Sequence, residues 1–118
     1  MAEEFERWVP LRDLALSHLA RHGDSPAVYY MRDTTGEVLK YGCTRCLRTR
    51  IVGNYLGGIG GSTTQRIHHA LFEKGMIDRV EIAWIETNSE AEARLKESEY
   101  RRAYKKIHGR RPAWDLMD

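Results

Sequence analysis

Two β-rich runs, AVYYMR at 27–32 and VLKYGC at 38–43, stand on either side of DTTG. Asp-Thr-Thr-Gly is turn chemistry, and the runs flanking it suit a pleated surface. The pattern predicts a β-hairpin. With a two-residue turn at Thr34-Thr35, Asp33 pairs with Gly36 and Tyr29 lies opposite Lys40. Opposed residues share a sheet face. That register sets a phenol beside an ammonium, with Gly42 two residues further along the same face. A glycine there leaves room for a ligand or another backbone to come close.

The rest of the chain is ordered around this hairpin. Pro10 to Ala20 reads as a helix, with Pro10 at its first position and Leu11, Leu14, Ala15 and Leu19 as its apolar stripe. After the hairpin, TRCLRTRIVG has helical spacing through Leu47 and Ile51, ending near Gly53. A glycine-rich loop, NYLGGIGGS, leads to a helix from Ser62 to Phe72, with Ser62 and Gln65 as a capping box and Gly75 closing it. RVEIAWI at 79–85 alternates as a third strand, and Ser89 with Glu92 caps a long helix to about Ile107. The expected fold class is α/β in the α+β sense, order α-β-β-α-α-β-α: a small, mainly antiparallel three-stranded sheet flanked by helices. The 118 residues make one domain, 1–118, with the N-terminal helix at 10–20 and the core at 27–115. No apolar run approaches the roughly 20 residues that span a bilayer. The acidic start, MAEEFERW, lacks the pattern of a signal peptide, so a cytoplasmic location is expected. Two cysteines are too few for a disulfide framework.

A net charge of +2 hides an uneven distribution. Six Lys or Arg and no acid lie between Arg101 and Arg111, and Arg45, Arg48 and Arg50 form a second basic group. Such patches suit a polyanion, although charge runs are also what a solvated helix face carries. Arg50 comes eight residues after Gly42, on the helix that leaves the hairpin, and its planar donor fork fits phosphate. On the last helix Ala93, Glu97, Tyr100, Tyr104 and Ile107 share one stripe. A carboxylate on such a stripe must be paired or hold a metal. The plain alternative for Glu97 is a salt bridge to Arg101. Tyr29, Lys40, Arg50 and Glu97 together supply a proton acceptor, two cations and one hard oxygen ligand. That set suits phosphodiester hydrolysis with a single Mg²⁺ or Mn²⁺ ion on Glu97 and waters. Tyr29 would take a proton from water or orient the water, and Lys40 would lower its pKa.

The ordered residues resemble the GIY-YIG nuclease superfamily over about Ala27 to Asp115. Ala27-Val28-Tyr29 stands at the first motif and Lys40-Tyr41-Gly42 at the second, with Thr44, Leu47 and Arg50 in step. Glu97 precedes Tyr104, His108-Gly109, Pro112 and Trp114 at a similar spacing. The resemblance implies catalysis by Tyr29, Arg50 and a metal-binding Glu97, with Gly42 and Thr44 as structural motif residues. The branch it is most similar to carries lysine where Lys40 stands. Asn54 occupies a place where histidine is common, and Asp115 one where asparagine is usual. The expected function is a divalent-metal-dependent endonuclease, acting on DNA rather than RNA. Arg45, Arg48, Arg101 and Lys105 are the expected nucleic-acid contacts. A homodimer or a partner protein would supply specificity.

Three other readings stand beside this one. The same fold could bind nucleic acid or a protein without cutting. Cys43 and Cys46 could bind zinc with His68 and His69, although adjacent histidines on a helix diverge by about 100°. The CxxC could be a redox pair, although that chemistry usually follows a βαβ unit. GGIGGSTTQR opens a helix but lacks the lysine of a phosphate-binding loop. Trp8, Trp84 and Trp114 are expected in the core.

Overall fold

The computed structural model describes residues 8–14 and 24–117. They form a compact α+β domain around a four-stranded antiparallel sheet. Strand β1 is Val9–Pro10 and is followed by a single turn, α1, at Leu11–Leu14. The hairpin is β2, Ala27–Asp33, and β3, Val38–Thr44. Helices α2 (Thr49–Leu56) and α3 (Ser62–Phe72) follow, then β4 (Val80–Glu86) and α4 (Glu90–His108). Short 3₁₀ turns lie at Met76–Arg79 and Ala113–Met117. Across the sheet the order is β1-β4-β2-β3, which makes β3 an edge. No helix among the described residues is long and apolar enough to cross a membrane.

The three expected strands are present, and a fourth joins them. Val9 pairs with Ile82 and Pro10 with Glu81, so Pro10 ends an edge strand instead of opening a helix. An edge tolerates proline because one side of the strand needs no donor. The expected first helix is seen only at Leu11–Leu14; Ala15 to Ala20 lie outside the described residues.

The hairpin register differs from expectation by two residues. Tyr29 pairs with Gly42, and Met31 pairs with Lys40. The turn is longer than two residues: the Asp33 amide donates to the Glu37 carbonyl at 2.9 Å, and Gly36 takes a φ of 92°. Asp33 Oδ1 accepts from the amides of Thr35 and Glu37, which folds the loop back on its aspartate. An irregularity between Met31 and Arg32 then places Leu39 as an extra residue in β3. Each insertion shifts the strand, and together they carry Lys40 past Tyr29.

Helix α2 does not stop at Gly53 but runs to Leu56 with π winding, in which bonds run from i to i+5. Helix α3 spans the expected residues, but Ser62 is its first helical residue and Gly61 its cap. The Gln65 side chain turns outward to the Gly58 carbonyl, so the expected capping box does not form. The cap of α4 does: Ser89 Oγ accepts from the Glu92 amide at 3.1 Å. Gly109, at φ 71°, ends that helix.

The strands alternate between two cores. Ala27, Tyr29 and Met31 join Leu47, then Ile51 and Tyr55 of α2 beyond it, Ile67 and Leu71 of α3, and Trp114. Val28, Tyr30 and Tyr41 join Tyr100 and Tyr104 of α4 on the opposite face. The α4 stripe ends at Tyr104, because Ile107 is exposed. Trp114 is buried as expected, whereas Trp8 and Trp84 are only partly so.

Candidate functional site

Gly42 is where the hairpin makes a site. The ring of Tyr29 lies directly across it, and a methyl group added there would collide with Cζ, the hydroxyl and Cε2 of Tyr29. Lacking a side chain, Gly42 lets the phenol fold over the edge strand toward α2. There its hydroxyl meets that of Tyr55 at 2.6 Å inside the core. Burial pushes the Tyr29 phenol well above its ordinary range; Tyr55 adds to the rise, Arg50 opposes it and Glu97 adds a smaller push. From α2 and α4, Arg50 and, more weakly, Glu97 thus bear on Tyr29 of β2.

Next to them lies a cleft of about 410 Å³. Its lining includes Arg45, Arg50 and Arg94, together with Cys43, Cys46 and Asn54. Arg50 Nε is buried and has no hydrogen-bond partner among the described residues. An orphaned guanidinium donor is costly, and an anion would relieve it. Arg94 was not singled out by spacing; it reaches the cleft from the first turns of α4, where Glu90 pairs with it at 2.9 Å. Thr44 fixes the floor: its hydroxyl donates to the Cys46 carbonyl at 3.1 Å and accepts from the Cys46 amide at 3.2 Å.

Glu97, like Tyr29, is not part of that lining. Its side chain is 14% exposed, and Arg101 approaches Oε1 at 3.2 Å, the salt bridge that spacing offered as the plain alternative. The Cys43 thiol lies beside both Glu97 and Arg94; burial first, then Glu97, raises its pKa. Arg101 is not turned to solvent. Its Nη2 also reaches the Tyr41 carbonyl at 3.4 Å, covering the open edge of β3, and the Asp115 carboxylate. Its Nε stands 3.1 Å from Asp115 Oδ2, within ion-pair range but without hydrogen-bond alignment, as both atoms otherwise lack a partner.

Lys40 belongs to that same network. Its ammonium contacts Asp115 Oδ1 at 3.3 Å, and both groups are buried. With the register shifted, Lys40 stands opposite Met31 and is engaged by Asp115, so the expected side-by-side contact with Tyr29 is not formed. Of the other expected nucleic-acid contacts, Arg45 lines the cleft. Arg48 pairs with Asp24 at 2.9 Å, and Lys105 is exposed on α4 outside the cleft lining. Asn54 gives its amide to the Ile59 carbonyl, pinning the glycine-rich loop.

The zinc set does not assemble: no three His, Cys, Asp or Glu side chains converge among the described residues. His68 is engaged with the Tyr55 carbonyl at 2.9 Å. Neither Cys43 nor Cys46 is in a disulfide, and the two thiols are unlike. Thr49 donates its hydroxyl to Cys46 Sγ at 3.3 Å, and this bond lowers the Cys46 pKa. For Mg²⁺ or Mn²⁺ the residues fit only a site with a single carboxylate, Glu97, and water for the rest, a habit of Mg²⁺. Arg101 competes for that carboxylate.

Tyr55 is the residue that spacing did not reveal. Leu47, Ile51 and Tyr55 recur every four residues, but the recurrence crosses Gly53, which reads as a helix end. Compared with protein-family models and with curated protein sequences, the chain matches none.

Proposed function

We propose that this protein is a divalent-metal-dependent endonuclease of the GIY-YIG type, hydrolysing phosphodiester bonds of nucleic acid, DNA in preference to RNA. One observation carries the reading: Arg50, with an unpartnered Nε, lines a cleft with Arg45 and Arg94, and Arg50 and Glu97 both bear electrostatically on Tyr29. The element order from β2 to α4, and the close approach of Tyr29 over Gly42, support it.

In this reading Arg50 takes the phosphoryl oxygens, and its orphaned Nε acquires the acceptor it lacks. Arg45 and Arg94 hold the flanking backbone by charge. Glu97 is the carboxylate that would hold Mg²⁺ or Mn²⁺, whose chemistry is to neutralise charge on the leaving oxygen. Tyr29, with its pKa pushed up, stays protonated at neutral pH and orients the attacking water instead of deprotonating it. Lys40, Arg101 and Asp115 brace the site and leave the substrate to others. Two thiols outside any disulfide suit a reducing, cytoplasmic setting. One such cleft cuts one strand at a time, so a homodimer or a partner protein would be needed for a double cut.

A second reading has its own support. Tyr29 is 2% exposed and Glu97 is paired with Arg101, as in a cleft that holds nucleic acid without cutting it. Incubation with plasmid, single-stranded DNA and RNA, in Mg²⁺ and in Mn²⁺, separates the two. The endonuclease reading expects metal-dependent cutting that Glu97→Ala and Arg50→Ala abolish. Salt-sensitive binding with no cutting of any polymer would move the assignment to the binding module.

A further inference from the structure

Two phenols satisfy each other inside the core behind Gly42. The Tyr29 and Tyr55 rings meet edge to face at 6.2 Å, and each residue is 2% exposed. Packing alone would be served by phenylalanine at 55, because the ring fills the space and the hydroxyl adds only a group that must be satisfied. The hydroxyl at 55 therefore has a task, and its partner is Tyr29.

The winding of α2 shows how that partner is reached. Residues five apart in an α-helix diverge by about 140°. In a helix bonded from i to i+5 they lie about one turn apart, on one side. Arg50 and Tyr55 are five apart in a π-wound segment, and both act on Tyr29. A bond between two hydroxyls has one donor, and either phenol can supply its proton.

We infer that Tyr55 is a positioning residue: its hydroxyl bonds that of Tyr29 and pins the phenol above Gly42, beside the helix that carries Arg50. The inference rests on the endonuclease reading for its consequence in catalysis, and on the geometry for the pairing itself. Nothing is transferred or oxidised. The π winding of α2 is the device that lets one helix deliver both the cation and the hydroxyl.

The test uses Tyr55→Phe, which keeps the ring, with Tyr29→Phe and the double variant in the full chain. Tyrosine labelled with ¹³C at Cζ is titrated by NMR, the Tyr29 signal being assigned by its loss in Tyr29→Phe. Expected is a fall in the Tyr29 titration midpoint in Tyr55→Phe, because a group that raises it has gone. Cutting by Tyr55→Phe is expected to drop by about 10²-fold in kcat at similar KM, as for a misplaced reacting group. In the Tyr29→Phe background the second change should add nothing further. An unmoved Tyr29 midpoint, or losses that multiply in the double variant, would overturn the assignment. If the parent cuts nothing, the endonuclease reading fails by itself, and the Tyr29 midpoint still decides the pairing.

Discussion

Tyr29 and Tyr30 are neighbours on β2, and strand alternation sends them to opposite faces. Tyr30 enters an aromatic stack. Its ring lies 4.8 Å from that of Tyr41 at 13°, Trp8 meets it edge-on at 4.6 Å, and Tyr41 in turn stacks on Tyr100 at 5.7 Å. Tyr29 instead bonds the Tyr55 hydroxyl and feels the charge of Arg50 and, more weakly, of Glu97. Burial raises the pKa of Tyr29, Tyr30 and Tyr41 alike. A raised pKa therefore does not mark the site. Nor does a paired hydroxyl, since Tyr30 shares a hydrogen bond with Tyr41 as Tyr29 does with Tyr55. What separates the two faces is the company: stacked rings around Tyr30, and on the side of Tyr29 the cleft-lining Arg50.

The two faces are tied at the β3 edge by Asp115, which holds Lys40 from the sheet and Arg101 from α4. Cutting this tie should produce the largest loss of stability. Asp115→Ala leaves a buried ammonium unpaired and is expected to cost about 3–5 kcal/mol. Lys40→Met keeps Asp115 on Arg101 and should cost far less. Urea unfolding of both variants checks this, and equal losses would mean that the tie is not organised around Asp115.

Gly42→Ala strikes only the Tyr29 face. Overpacking there is expected to cost about 1–3 kcal/mol, with loss of the Tyr29–Tyr55 bond and of cutting. A stable, active Gly42→Ala protein would show that the Tyr29 ring can lie elsewhere. Alkaline pH tests what the faces share. Tyr29, Tyr30 and Tyr41 have folded pKa values above the unfolded value of about 10, so the unfolded chain releases protons first. Stability is expected to be fully present below about pH 10 and to fall as pH rises through the folded values. Urea midpoints measured from neutral pH to beyond 10 would reveal this, and a flat profile would contradict it.

The smallest effect is confined to the cleft floor. Cys46, held by Thr49 with a lowered pKa, should be alkylated several-fold faster than Cys43, whose pKa is raised. Thr49→Val should narrow that difference. Mass-resolved labelling with iodoacetamide measures it, and equal rates would remove the distinction between the two thiols.

The helices and strands were legible wherever periodicity ran unbroken. Ser89 with Glu92 announced α4, and the alternation of RVEIAWI announced β4. The register of the hairpin was not legible, because it depends on how Asp33 folds the turn and on the extra Leu39. Both are choices of backbone geometry that composition leaves open. The position of Lys40 was lost with the register. Tyr29, Gly42, Arg50 and Glu97 could be named because each departs from what packing alone asks of its place. Tyr55 could not, since its value depends on a π turn that crosses a glycine. Arg94 lay among many exposed charges, and only the approach of α4 to the β3 edge distinguishes it.

The central claim is that Tyr29, Arg50 and Glu97 act together in one catalytic site, to which α2 and α4 contribute from opposite sides of the sheet, while Tyr30 takes no part in it. The rate of Mn²⁺-dependent nicking of supercoiled plasmid tests it directly, measured for the parent, Tyr29→Phe, Arg50→Ala, Glu97→Ala and Tyr30→Phe. The account predicts a metal-dependent rate in the parent, retained in Tyr30→Phe and reduced to background in the other three. A parent without nicking activity, or nicking that survives in any of those three, would contradict it.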